Sequence, residues 1–198
     1  MKIWLLHKLY DDYETLSFLN EDDSQFFHDH FNGVPIKDIW IHNQVGIYKG
    51  GKKGDFPPGL LAPPVFSDKA VQELEDVLGD MVEVLPISKE SEKYYAINVI
   101  NVLDCIDGEK AEVKRFRSGL IMKYKKYAFK EECLEGQDIF KVVDHEEKKL
   151  IKTQVFVSDK FKDKVIESGL KGFDFIGVWD SESTSDITQQ ADKSEEKM

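Results

Sequence analysis

The chain has 198 residues and a mass of 22.8 kDa, with 38 acidic residues against 27 basic ones and a net charge of -11. That length supports a core without help from disulfides or metals, and the acidity argues against sequence-independent binding to nucleic acid, whose phosphates repel it. The two cysteines, Cys105 and Cys133, fit no disulfide framework or zinc spacing, which favours a reducing compartment, with the cytoplasm as the default.

The amino terminus, Met1 to Leu9, is too short and too soon charged for a signal or membrane-spanning segment and predicts a first strand. Two acidic clusters follow, Asp11-Asp12-Tyr13-Glu14 and Glu21-Asp22-Asp23. Ser24 reads as the N-cap of a short helix through Phe31, closed by Asn32-Gly33. His28 and His30 lie two positions apart, about 200° around a helix, so they cannot chelate one ion together. A strand is expected at 38–48. The run Lys49-Gly50-Gly51-Lys52-Lys53-Gly54 lacks the Gly-Lys-Ser/Thr ending and the following helix of a phosphate loop, and predicts a mobile loop.

One pattern occurs twice. Val65-Phe66-Ser67-Asp68-Lys69 leads into a helix ending at Gly79 and a strand over 81–87, and Val155-Phe156-Val157-Ser158-Asp159-Lys160 leads into a helix ending at Gly169 and a strand over 172–178. Each serine stands where an N-cap belongs and each aspartate at the positive end of the helix dipole. Val71, Leu74, Val77 and Leu78 make one apolar stripe, and Phe161, Val165, Ile166 and Leu170 the other. Two such units predict two helices packed on a shared sheet, with a pseudo-symmetric arrangement open.

Between the copies, Tyr94 to Asp107 is the longest apolar run and predicts a buried central strand, in which Asn98, Asn101 and Asp104 need hydrogen-bond partners and tie down neighbouring loops. Residues 110–130 interleave Lys110, Lys114, Arg115, Arg117, Lys123, Lys125, Lys126 and Lys130 with Phe116, Ile121, Tyr124, Tyr127 and Phe129. A single-stranded nucleic-acid groove has this composition, and so do edge strands with one solvated face. A helical turn over 131–134, a strand over 139–143 and a solvated turn over 144–149 complete the ordered part. The acidic, apolar-poor end, 180–198, is expected to be disordered.

Catalytic patterns are weak. Cys105 with His145 is a conceivable nucleophile and base, but a thiol in the most apolar strand behaves as a small hydrophobe. Asp104 and Asp107 are a candidate carboxylate pair, the second already explained by its turn. No nucleophile elbow, zinc-protease motif or dinucleotide fingerprint is present, so no catalytic, cofactor or metal residue is assigned. The predicted architecture is an α+β fold with a mixed, mostly antiparallel sheet and two similar helix-strand units. Its parts are an N-terminal segment (1–54) completing the fold, an α+β domain (55–179) and a tail (180–198).

The order Asp55-Phe56, Val65-Phe66-Ser67-Asp68-Lys69-Ala70, Val84-Leu85-Pro86-Ile87, Tyr94-Tyr95-Ala96-Ile97-Asn98-Val99, Leu103-Asp104-Cys105-Ile106-Asp107, Ile139-Phe140, Val155 to Phe161 and Gly169-Leu170-Lys171-Gly172 resembles the bacterial immunity protein family Imm11 (DUF1629). The resemblance spans about Asp55 to Val178. It implies a non-enzymatic antidote to a polymorphic toxin used in bacterial competition. Such a protein binds the toxin domain of its own cell in the cytoplasm and occludes it, without cofactor or membrane. Many such toxins are nucleases with basic grooves, which an acidic protein suits as a phosphate mimic. Asp11, Asp12, Glu14, Glu21, Asp22 and Asp23 are therefore the candidate partner-binding residues. Asn98, Asp104, Cys105, Ser158 and Asp159 have local structural roles. A small hydrolase-like enzyme, or a nucleic-acid binder using residues 110–130, is the alternative.

Overall fold

The computed structural model describes residues 1–41, 43–59, 63–89 and 92–182. In chain order the elements are β1 (Lys2–Lys8), β2 (Thr15–Phe18), α1 (Glu21–His30), β3 (Asn43–Lys49), β4 (Val65–Ser67), α2 (Asp68–Glu73), α3 (Glu75–Leu78), β5 (Val82–Lys89) and β6 (Glu92–Val99). They continue with β7 (Val102–Leu103), β8 (Glu112–Arg115), β9 (Ile121–Lys126), β10 (Ile139–Val142), β11 (Phe156–Ser158), α4 (Asp159–Glu167) and β12 (Phe173–Asp180). Short 3-10 turns lie at Lys37–Ile39, Gly79–Met81 and Glu131–Cys133.

The α+β class and the mostly antiparallel pairing are as expected, but the strands divide between two five-stranded sheets, ordered β12-β1-β11-β10-β7 and β2-β3-β5-β6-β4. The β8–β9 ribbon stands as a separate two-stranded sheet. The division falls inside the run read as a single central strand. β6 ends at Val99, and the amides of Ile100 and Asn101 both donate to the Met81 carbonyl. The Asn101 side chain then donates to Gln137 Oε1 (2.8 Å) and to the Ile139 carbonyl (3.0 Å), after which Val102 and Leu103 pair in parallel with Lys141 and Val142 of the other sheet. An asparagine amide satisfies strand-edge groups where the chain changes sheets, so hydrophobicity continues through the point where pairing stops.

Both repeated helix units form on their predicted caps. Ser67 Oγ accepts the Ala70 amide (3.1 Å) and Ser158 Oγ the Phe161 amide (3.2 Å). The equivalence runs deeper than the helices. The hydroxyls of Ser67 and Ser158 donate to Asp55 (2.8 Å) and Asp138 (2.7 Å), whose carbonyls take the same serines' amides. Across the sheet Phe66 faces Tyr95 and Val157 faces Trp4, and these aromatics donate to the first helical carboxylates, Asp68 and Asp159, both at 2.9 Å. In each unit the two strands flanking the helix lie on either side of a third, antiparallel to both: β6 between β4 and β5, β1 between β11 and β12. The pattern is pseudo-symmetric as far as the cap, its aspartate and the facing aromatic.

Contrary to the shared sheet expected from sequence, the two helix units belong to separate sheets; what they share is a core. Phe66, Ala70, Leu74, Val77 and Leu78 from one unit and Val157, Phe161, Val165 and Leu170 from the other are buried in one apolar cluster. Ile166, placed by its spacing in the second stripe, is instead 61% exposed. It lies one position past Val165, on the edge of the helix facing water, because α4 is covered on one side only.

The first helix also differs from expectation. Asn20, not Ser24, is its N-cap, accepting the Asp22 amide at 3.1 Å. The helix therefore begins at Glu21, and the second acidic cluster forms its first turn, where carboxylates are favoured by the helix dipole. The strand expected from residue 38 starts at Asn43, after the 3-10 turn. The Gly-rich loop, expected to be mobile, is pinned by backbone bonds from Lys52 N to Asp12 O (2.8 Å) and from Glu14 N to Lys52 O (2.9 Å). A Cβ on Gly51 would lie 2.4 Å from the Tyr13 carbonyl carbon. Glycine serves there for the close approach of two backbones. The tail expectation falls mainly on residues 183–198, outside the described residues.

Candidate functional site

Asp11 and Asp12 lie exposed in the turn after β1, where Asp12 faces the Lys52 ammonium at 3.8 Å. Asp22 and Asp23 belong to the first turn of α1. Limited burial first, and then the charge of Asp22, raise the Asp23 carboxyl above its ordinary range. The two pairs stand at opposite ends of β2, four residues long, and at about 3.3 Å per residue they are two separate patches.

Glu14 stands apart from the other candidates. It is 3% exposed, and its carboxylate pairs with the equally enclosed ammonium of Lys89. Lys89 also lies 3.4 Å from Glu92, which pairs in turn with Lys53, and 5.4 Å from the Tyr94 ring centroid. A carboxylate enclosed in this way presents nothing to a partner. It ties the β1–β2 turn to the far end of β5. Residue Glu21 opens α1.

The residues weighed for catalysis are brought into structural roles. Cys105 is fully buried, and burial, chiefly, pushes its thiol up to about 12, leaving a thiol at neutral pH. The His145 ring Nδ1 lies 2.7 Å from the Tyr124 hydroxyl, which also accepts the His145 backbone amide (3.2 Å). Asp104 is exposed and pairs with Lys148 at 2.8 Å, while Asp107 accepts the Glu109 amide and pairs with Lys110 at 3.0 Å. Among the described residues no group of three or more His, Cys, Asp or Glu is placed to hold a metal. His28 meets Asp29 (3.0 Å) and His30 packs on Phe26, with ring centroids 4.3 Å apart.

Asn98 does the loop-tying read from its place in the run. Fully buried, it donates to the Val34 carbonyl (2.8 Å) and to Glu83 Oε2 (2.9 Å). Glu83 in turn accepts the amides of Ile36 (2.7 Å) and Lys37 (3.1 Å). Glu83 was missed, since a lone glutamate on a strand gives no local sign that it holds a loop 46 residues away.

The basic aromatic segment 110–130 separates into two parts. Tyr127 and Phe129 are buried and Tyr124 half-buried, stacked on one another at 4.8 and 5.7 Å within an apolar cluster. Bases therefore have no stacking platform on those rings. The remainder, β8, β9 and their turn, is exposed from Lys114 to Leu120 without interruption.

The fold and its surface thus define an α+β protein whose Cys105 thiol and Glu14–Lys89 pair are enclosed and whose exposed chemistry consists of charged and apolar patches. Residues 84–180 match the model of the immunity protein family Imm11. The match runs from within β5 to the end of β12, so the Asp55-Phe56 and Val65 to Ala70 motifs lie before it. It also excludes β1, which pairs with both β11 and β12 inside their sheet. No curated protein matches the chain. Among the described residues no helix is long and apolar enough to cross a membrane.

Proposed function

We propose that the chain is an immunity protein that binds a cognate bacterial toxin domain in the cytoplasm of the producing cell and neutralises it by occluding it, without turnover. The match of residues 84–180 to the Imm11 immunity family carries this reading. The net charge of -11 suits a toxin with a basic, nuclease-like groove, because opposite potentials raise the encounter rate and fix orientation. Asp11, Asp12, Asp22 and Asp23 supply the acidic contacts, and Glu21 opens the same helical turn. Glu14 contributes by holding the turn that presents Asp11 and Asp12.

Co-expression with the toxin domain encoded beside its gene tests the reading. Growth is expected to be restored by the parent chain. Reversal of Asp11, Asp12, Asp22 and Asp23 to lysine is expected to slow association about tenfold at low salt and flatten its salt dependence. Association unchanged in both rate and salt dependence would remove these residues from the interface, and no rescue by a folded parent would remove the immunity reading.

A further inference from the structure

The β8–β9 ribbon reverses the charge of the molecule. Residues 112–126 carry six cationic side chains against the single carboxylate of Glu112, in a chain of net charge -11. Among the described residues the ribbon hydrogen-bonds as a strand to neither five-stranded sheet. A lone two-stranded ribbon is marginal in water, and this one is braced at both ends. At its base Tyr124 packs against the Tyr127 ring and meets His145. At its tip the Phe116 amide donates to Leu120 O (2.9 Å) and the Gly119 amide to Phe116 O (3.0 Å). Arg115 closes the turn, donating to Gly119 O (2.9 Å) and forking onto the Glu146 carboxylate at 2.8 and 2.6 Å. Bidentate pairs of this kind hold geometry well.

The braced tip nevertheless holds apolar side chains in water: Phe116 is 51%, Leu120 46% and Met122 42% exposed. Lys114, Arg117 and Lys125 are exposed beside them and make no ion pair among the described residues. Aromatic, methionine and arginine side chains are enriched at interface centres, and a rigid presenting element loses little entropy on docking.

We propose that this ribbon anchors the chain on its toxin partner. Phe116, Leu120 and Met122 seat on an apolar floor in a cleft of the toxin domain, and carboxylates on the rim of that cleft meet Lys114, Arg117 and Lys125. The inference rests on the immunity reading and adds to it the second contact and its chemistry. A folded protein brings carboxylates to the ribbon alone, whereas an extended phosphate surface also meets the acidic body, and of the aromatic rings in 110–130 only Phe116 stands exposed for stacking. A toxin that engages the ribbon and the β2-end acids must carry charges of both signs in a fixed arrangement, which gives the pair its register.

The test measures binding of the full chain to a catalytically inactivated form of the toxin domain encoded beside its gene, by association and dissociation kinetics. Two variants are compared with the parent: Phe116→Ser with Leu120→Ser, and Lys114→Glu with Arg117→Glu and Lys125→Glu. The apolar variant is expected to lose about 100-fold or more in affinity, mainly by faster dissociation, and the charge variant at least about tenfold. Melting temperature and circular dichroism should stay at parental values for these exposed positions. Parental affinity in both variants would overturn the ribbon and leave the immunity reading standing; a parent that fails to bind would overturn both. Toxin-free self-association, or sedimentation with anionic phosphatidylglycerol vesicles, that is lost in the variants while their toxin affinity stays parental would also overturn it, assigning the ribbon to a second copy or to lipid.

Discussion

Lys89→Met is expected to lower the free energy of unfolding by roughly 3–5 kcal/mol, because it leaves the Glu14 carboxylate enclosed without its cation. Both partners are 3% exposed, so water cannot take over the missing role. Glu92, at 3.4 Å from the same ammonium, loses a neighbour as well, but it keeps Lys53 and lies nearer to solvent. The effect is therefore chiefly that of orphaning Glu14. The accompanying double variant, Glu14→Leu with Lys89→Met, should recover most of the loss, since replacing both members of a buried pair with apolar groups is often near neutral. Urea denaturation of the parent, Lys89→Met, Glu14→Leu and the double variant reads the cycle. A single variant within about 0.5 kcal/mol of the parent would mean that the Glu14 carboxylate is not held by Lys89.

Phe161→Ala is expected to cost roughly 3–5 kcal/mol and to destabilise both five-stranded sheets together. Phe161 is fully buried at the start of α4, in the cluster that also holds Leu74 and Val77 of the other helix unit. Two polar contacts join the same helices at the surface: Lys164 with Asp76 (3.3 Å) and Ser168 with Glu73 (3.2 Å). A cavity in a shared core weakens whatever leans on it, so unfolding of parent and variant should be one transition. Fluorescence of Trp40, packed in the β2–β3–β5–β6–β4 half, and of Trp4 and Trp179 in the other, checks this. Single-tryptophan versions of the chain separate the probes, and midpoints that diverge on Phe161→Ala would show two independent cores.

What the sequence disclosed was local. Ser67 and Ser158 act within three residues, so their caps could be read directly. The Asp144 turn was also legible, because the carboxylate accepts amides two, three and five residues on. Asn98 was legible as a group in need of a partner, although the identity of that partner was not. Three features depended on distant chain. The sheet change at Asn101 needs Gln137 and Ile139, and apolar character alone carries no record of which strand is next door. The burial of Glu14 depends on Lys89, 75 residues away, and in sequence it is one more acid in an acidic run. The third was the division of the basic aromatic segment, for whether a tyrosine stacks inward or faces water is decided by the cluster around Tyr127 and Phe156. The start of α1 was a local error: Asn20 and Ser24 are both competent caps, and the acids Asp22 and Asp23 favour the earlier one through the dipole.

The order of the β12-β1-β11 strands bears on how the family match is understood. The matched stretch, 84–180, contributes β11 and β12 but not β1, which hydrogen-bonds to both. Residues 2–8 complete that sheet. A fragment limited to residues 84–180 would leave edges of β11 and β12 unpaired, so binding is to be studied on the full chain.

The most direct measurement mixes the purified chain with the active toxin domain encoded beside its gene, and follows toxin activity and complex mass together as the chain is added. One-to-one occlusion predicts that activity falls linearly to zero at one chain per toxin, with a single species of the summed mass. Full toxin activity beside a folded chain, with no complex, would contradict it. So would complete inactivation by a small fraction of an equivalent, since that requires turnover.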